Sequence, residues 1–149
     1  MLVESVLKAT GRRAAVLRPQ ASVAEAAELL MPGDVQIVVV CDAHAKIAGV
    51  VTDSDIVRDL ARCRGSAQVC AANVAAIMSR DVVSCRRADR VEDVLSVMKA
   101  RGLRRLPVVD EDGAVVGLMT MRDALLQLCE EAKLNETWLK EYFLGVGYH

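Results

Sequence analysis

The feature that most constrains this chain is that it says the same thing twice. Thr52-x-x-Asp55 falls on Thr120-x-x-Asp123 at an offset of 120 − 52 = 68 residues, and the same offset carries Gly49 onto Gly117, Asp42 onto Asp110 and Val40 onto Val108. Val23 falls on Val91 and Leu60 on Leu128. A unit this long, present twice, is a tandem pair rather than a solenoid, and it fixes the architecture before any single element is assigned. Residues 104–123 give the unit in its clearest form: an apolar β-branched run from Leu106 to Val109, a turn at Asp110–Gly113, a second apolar run from Ala114 to Met119, and a helix start at Thr120. Thr-x-x-Asp has the spacing of a capping box, in which the hydroxyl accepts from a first-turn N–H. A helix start delivered to a sheet edge in this way offers N–H groups and a positive dipole end to an anion.

Taken in order, the sequence predicts a short helix over 2–9, a strand at Ala14–Leu17, a capped helix Val23–Met31 closed by Pro32-Gly33, strands Val35–Cys41 and Ile47–Val51, and a helix from Asp53 to about Arg62. Periodicity lapses over 64–72, which reads as a linker, and then the order restarts. Val74, Ile77 and Met78 echo Val3, Val6 and Leu7; Val82–Ser84 reads as a strand, Asp89 opens a helix to Arg101, and Gly102 stands at its C′ position. The organisation is therefore repeat 1 over 1–63, linker 64–72, repeat 2 over 73–130, and a tail over 131–149. The fold class is α/β, with β-α-β-β-α in each repeat. Neither repeat covers its own sheet, so the two are expected to pack together about a pseudo-twofold axis.

These paired motifs resemble the CBS (cystathionine-β-synthase) domain pair over about residues 1–130. Repeat 2 keeps Arg-Arg-Leu-Pro-Val-Val-Asp, Asp-Gly and Gly-Leu-Met-Thr-Met-Arg-Asp; repeat 1 keeps Gly-Val-Val-Thr-Asp-Ser-Asp from Gly49 to Asp55. The resemblance implies a stand-alone regulatory module that binds an adenine nucleotide, AMP or ATP or a related adenosyl ligand, with no cofactor required. It places ribose and phosphate contacts at Thr120 and Asp123 for one site and at Thr52 and Asp55 for the other. It adds Arg105, Leu106 and Pro107 before and within the second repeat's strand, with Ile37 in the corresponding place of repeat 1. Base contacts from the opening segments would be Thr10 and Ala15 for one site and Val83 for the other. Repeat 1 has Gln36 and Ile37 where repeat 2 has Arg104 and Arg105, and Val39 for Pro107. It therefore lacks the guanidinium best suited to grip a phosphate bidentately, so the second repeat is expected to carry most of the affinity.

Other classes are disfavoured. Net charge is −1, with 26% charged and 53% hydrophobic residues, so no basic field invites nucleic acid. No apolar run is long enough to span a bilayer, and the N-terminus has no signal-peptide pattern. The five cysteines, at 41, 63, 70, 85 and 129, form neither a disulfide framework nor a metal-ligand spacing, and the expectation is five free thiols in the cytoplasm. His44 and His149 have no partner for catalysis, so no enzyme is expected. All four aromatic residues, Trp138, Tyr142, Phe143 and Tyr148, lie in the tail. Leu134, Trp138 and Tyr142 recur at helical spacing, with Asn135 as a candidate cap and Gly145 as a candidate end. Such a stripe suits a homodimer interface. The alternative is a ligand-free adaptor that docks a regulated partner protein through this aromatic helix.

Overall fold

The computed structural model describes residues 1–63 and 73–145, with 135–145 described by backbone alone. Two three-stranded sheets, one per repeat, carry the same topology. In repeat 1, β1 (Ala15–Leu17) leads through α2 (Val23–Leu30) to the parallel neighbour β2 (Val38–Cys41), which turns into antiparallel β3 (Ile47–Val51) and then α3 (Asp53–Arg62). Repeat 2 restates this as β4 (Cys85–Arg86), α4 (Val91–Arg101), β5 (Arg105–Val109), β6 (Val115–Thr120) and α5 (Met121–Gly145). The first helix, α1 (Val3–Thr10), opens repeat 1 ahead of β1, and a 3-10 turn, Val74–Ala76, opens repeat 2 ahead of β4.

Each repeat donates its lead-in to the other. Val3 and Val6 of α1 are buried among Cys85, Val91, Val94, Met98, Leu106 and Met119, all of repeat 2. Val74, with Ile77 and Met78, is packed against Ala26, Val38, Val40 and Val51 of repeat 1. The exchange follows from chain economy: a three-stranded sheet with two helices leaves one face uncovered, and the next apolar segment to hand belongs to the neighbour. Backbone bonds seal the join. The Val3 N–H donates to the Asp89 carbonyl (2.9 Å), and its counterpart Val74 donates to Ala21 (2.8 Å). Further along, Ser79 and Val50 exchange N–H···O bonds of 2.8 and 2.9 Å, while Leu118 N–H donates to Arg12 (3.4 Å). Residues 46 and 114 add a direct antiparallel bridge between the two sheets.

The motif glycines make room for these crossings. A Cβ on Gly49 would lie 2.7 Å from the Met78 side chain and 2.8 Å from the Ser79 carbonyl oxygen; on Gly117 it would meet Leu7 at 3.0 Å and the Arg12 carbonyl at 3.3 Å.

Several expectations are adjusted. The second repeat opens with a 3-10 turn because its lead-in is shorter: from Val74 to Arg80 is six positions, against nine from Val3 to Arg12, and three residues fewer leave no room for a two-turn helix. The strand expected at Val82–Ser84 forms instead at Cys85–Arg86, where pairing with Val108 and Val109 is available. Residues 35–37 precede β2 rather than joining it. Asn135 caps nothing, since α5 runs unbroken through it for 25 residues, roughly 37 Å at 1.5 Å per residue. Cys63 is disulfide-bonded, which corrects the expectation of five free thiols. Cys41, Cys85 and Cys129 are free, and burial pushes the Cys85 thiol up to about 12. The linker residues 64–72, Cys70 among them, and the tail's Tyr148 lie outside the described residues, and so do the side chains of Trp138, Tyr142 and Phe143.

Candidate functional site

Each antiparallel hairpin ends by presenting a Thr-x-x-Asp helix start at the place where the other repeat's lead-in crosses. The two starts use their carboxylates differently. In repeat 1 Asp55 turns back on its own cap: Oδ2 accepts from the Thr52 N–H (2.9 Å) and hydroxyl (3.2 Å), while Arg58, one turn on, reaches Oδ1 at 3.4 Å. In repeat 2 the Asp123 N–H donates to Thr120 Oγ1 (3.0 Å), and the carboxylate also reaches across to the other repeat's lead-in. There it meets Arg12 from the lead-in of repeat 1, whose Nε donates to Oδ2 and whose Nη2 donates to Oδ1 at 3.2 Å. Thr120 and Asp123 are both buried, and the Asp123 carboxylate is a charge at the seam between the repeats. Burial alone would raise its pKa. Hydrogen bonds from Arg12 and Thr120, with the charges of Arg12 and Arg122, outweigh that and hold it below the usual carboxylate range.

Positive charge gathers around this carboxylate. Arg105 opens β5 opposite Thr120 in the antiparallel register. Its guanidinium is shifted down, first by burial and then by the charges of Arg104 and Arg12, with Asp53 at the start of α3 opposing the shift. Arginines of both repeats and the helix starts of both repeats therefore feel one another across the seam. Such a cluster can take a phosphate, since guanidinium forks match phosphate oxygens and the helix N-terminus adds N–H donors.

The remaining predicted residues divide. Thr10 ends α1 with its hydroxyl donating to the Val6 carbonyl (3.1 Å) and accepting from the Arg12 N–H (3.3 Å), so it shapes the turn that aims Arg12. Ala15 and Ile37 line one cleft of about 240 Å³ with Arg12, Arg13, Gln36 and Leu118. That is slightly below the ~300–1,000 Å³ of typical ligand pockets. Leu106 is 2% exposed and points into the repeat 2 core, and Pro107 is buried beside it in β5. Val83 packs on the same core rather than standing free on a strand. Asp55 lines a separate polar cleft of about 460 Å³ with Arg58, Asp59, Arg62 and the 76–79 lead-in. Asp59, 4% exposed, was not singled out from sequence, and nor was Arg12. A signal for Arg12 exists: Arg80 stands 68 residues on, so both lead-ins carry an arginine at the same place.

Among the described residues no group of His, Cys, Asp and Glu side chains could hold a metal ion, and no helix is long and apolar enough to cross a membrane.

The family model described as CBS domain matches residues 6–62 and again 74–130. A relative from Acidianus ambivalens, described as an uncharacterized 17.7 kDa protein, is 29% identical over 108 residues, covering 72% of this chain and 63% of its own length. Two other curated relatives are spanned over only about a fifth of their length, 20% and 19%. Among solved structures, the CBS domain pair of protein MJ0100, in complex with 5′-methylthioadenosine and S-adenosyl-L-methionine, superposes with a TM-score of 0.73 at 25% identity, covering 88% of this chain and 98% of that one. The cytosolic domain of the Mg2+ channel MgtE in complex with ATP gives a TM-score of 0.62 at 28% identity, covering 75% of this chain and 44% of that one.

Proposed function

Since the chain belongs to the CBS domain family, as a tandem pair of its repeats, we propose that it is a regulatory module that binds an adenine nucleotide, AMP or ATP, between the repeats and signals by a change of shape. The observation that carries this reading is the Asp123 seam: a buried carboxylate at a capped helix start, paired with Arg12 and near Arg122, with Arg105 facing Arg12 from the next strand. A carboxylate there accepts two ribose hydroxyls, Thr120 and the first-turn N–H groups meet phosphate, and Arg105 adds a guanidinium. Pro107 and Leu106 set the strand that positions Arg105, while Thr10 and Ala15 approach from the lead-in side. Thr52 and Asp55 are the corresponding pair in repeat 1, which has no arginine at the place of Arg105, while Ile37 lies in the Arg12 cleft and Val83 on the repeat 2 core. That the MJ0100 pair and the MgtE domain were solved with adenosyl or adenine ligands supports the same class of ligand here. Binding acts as a signal only if the ligand prefers one arrangement of the repeats, and a site spanning the seam gives it contacts whose geometry changes with that arrangement.

A homodimer completes the reading, with the output passed to a regulated protein in the cytoplasm and no chemistry on the ligand. Apolar side chains left exposed on α3 and α5 support the dimer.

Calorimetry with AMP, ADP, ATP, NAD and S-adenosylmethionine tests the site. Loss of a carboxylate that accepts two hydroxyls removes ~2–4 kcal/mol. Asp123→Ala should therefore weaken nucleotide binding by roughly 30- to 1,000-fold, at about 1.4 kcal/mol per decade. Asp55→Ala should matter less. No heat from any ligand would leave helix capping as the whole role of Thr120 and Asp123.

A further inference from the structure

We propose that Arg12 is the specificity-determining residue of the Asp123 site, selecting adenine ribonucleotides that carry a phosphate over nucleosides that carry none. This deepens the nucleotide reading above and rests on it. Both oxygens of the Asp123 carboxylate are engaged by Arg12 in a two-point, charge-assisted pair. A ribose that claims the carboxylate must displace that guanidinium. The displacement is local, because the Arg12 backbone is tied to β6 through Leu118 (3.4 Å) and only its side chain has to swing.

What happens to the freed guanidinium decides which ligands bind. Arg104 and Arg105 already stand close enough for like charges to disfavour one another, and Arg12 is part of that group. With Asp123 taken, an uncharged nucleoside leaves Arg12 without its forked partner, while Asp34 and Asp53 act on these arginines by charge alone. A 5′-phosphate gives Arg12 a second fork-shaped acceptor in exchange for the one it lost. The exchange is then close to balanced for a nucleotide and unfavourable for a nucleoside.

The fold contains its own control. Asp55, the counterpart of Asp123, is held by Thr52 and by Arg58 of its own helix. Arg80, the counterpart of Arg12, lines a different cleft with Lys46, Ile47 and Val82. The cross-repeat pair, and with it the discrimination, belongs to one site.

The test is calorimetry on the full chain with AMP, adenosine and 5′-methylthioadenosine, for wild type, Arg12→Gln and Arg80→Gln. Arg12 lies outside the core with its side chain 39% exposed, so the variant should fold, which a thermal melt checks. Wild type should prefer AMP to either nucleoside by at least about 30-fold, near 2 kcal/mol. Arg12→Gln should bring that ratio below about 5-fold, with the nucleosides binding more tightly than they do to wild type and AMP less so, as the paired charge and its phosphate contact are both gone. Arg80→Gln should keep the wild-type ratio. A ratio unchanged in Arg12→Gln, or nucleosides that bind wild type as tightly as AMP, overturns the assignment. If none of the three binds either wild type or Arg12→Gln, the nucleotide reading itself falls and this inference with it.

Discussion

At the scale of single residues, the two repeats act as each other's controls, and their differences are informative. The β-hairpin turns are built alike: Asp42 Oδ1 accepts from the N–H groups of His44 and Lys46, and Asp110 Oδ1 accepts from those of Asp112 and Ala114. The turn closes with a left-handed residue. Repeat 2 places Gly113 there at φ 85°, and repeat 1 places Ala45 there at φ 61°. An L-residue with a Cβ in that region costs about 1–2 kcal/mol, while a glycine adds about 0.4–1 kcal/mol of unfolded-chain entropy to be lost. Ala45→Gly should therefore stabilise the protein by up to ~1 kcal/mol, about 2–4 °C in a melt for a chain of this length. A lower melting temperature would mean that the Ala45 methyl makes contacts worth more than the strain. The same comparison explains why the Thr-x-x-Asp motifs looked equivalent in sequence and are not so in space. Spacing fixes which backbone groups an aspartate can reach, but the direction its carboxylate faces is decided by a partner 111 positions away in the chain, Arg12. Local pattern holds no record of that distance.

At the scale of elements, the exchange of lead-ins is the feature on which the site depends. It brings Arg12 to Asp123 and residues 76–79 to the cleft of Asp55. The order of strands and helices was legible, because short apolar β-branched runs, capping residues and the Gly102 stop are local signals. The exchange was not, because Val3 and Val74 show only that they are apolar and leave open which sheet they cover. The motif glycines were legible as repeats, while their reason lies in the crossing backbone. Gly49→Ala should be the harsher substitution, since a Cβ there would sit 2.8 Å from a carbonyl oxygen that is itself bonded to the Val50 N–H. Overpacking of this kind typically costs about 1–3 kcal/mol. Gly117→Ala should cost less, because the nearest obstacle is the tip of Leu7 at 3.0 Å, which can rotate. Urea denaturation of the two variants checks the order. Equal losses would indicate that the two lead-ins are held equally rigidly.

At the scale of the whole molecule, apolar side chains remain exposed on α3 and α5 after the two repeats have covered each other. On α3, Val57 and Leu60 are 64% and 65% exposed; on α5, Leu125 and Leu126 are 48% and 50% exposed, and Leu134 is 63% exposed. Val57 and Leu125 are the same position of the repeat, so the pseudo-twofold sets two apolar helix faces on the outside of the pair. Residues 129–134 are exposed throughout, so α5 runs on beyond the packed body toward the aromatic stretch. A surface of this kind fits a second copy of the chain, since symmetric dimers are the commonest assemblies and buried interface centres are rich in apolar side chains. Burying a leucine side chain is worth about 1.5–3 kcal/mol, and a carboxylate in its place adds a desolvation cost. Leu60→Glu and Leu125→Glu should therefore each weaken a dimer by at least about tenfold to a hundredfold, at ~1.4 kcal/mol per decade. The monomer's own fold should be little affected, because neither side chain lies in a core. Sedimentation velocity over a concentration series checks this, with Trp138→Ala as the companion variant for the tail. Dissociation in the leucine variants alone would put the interface on the α3 and α5 faces. Dissociation in Trp138→Ala alone would put it on the tail, and wild-type mass in all three would mean that these apolar faces serve another protein.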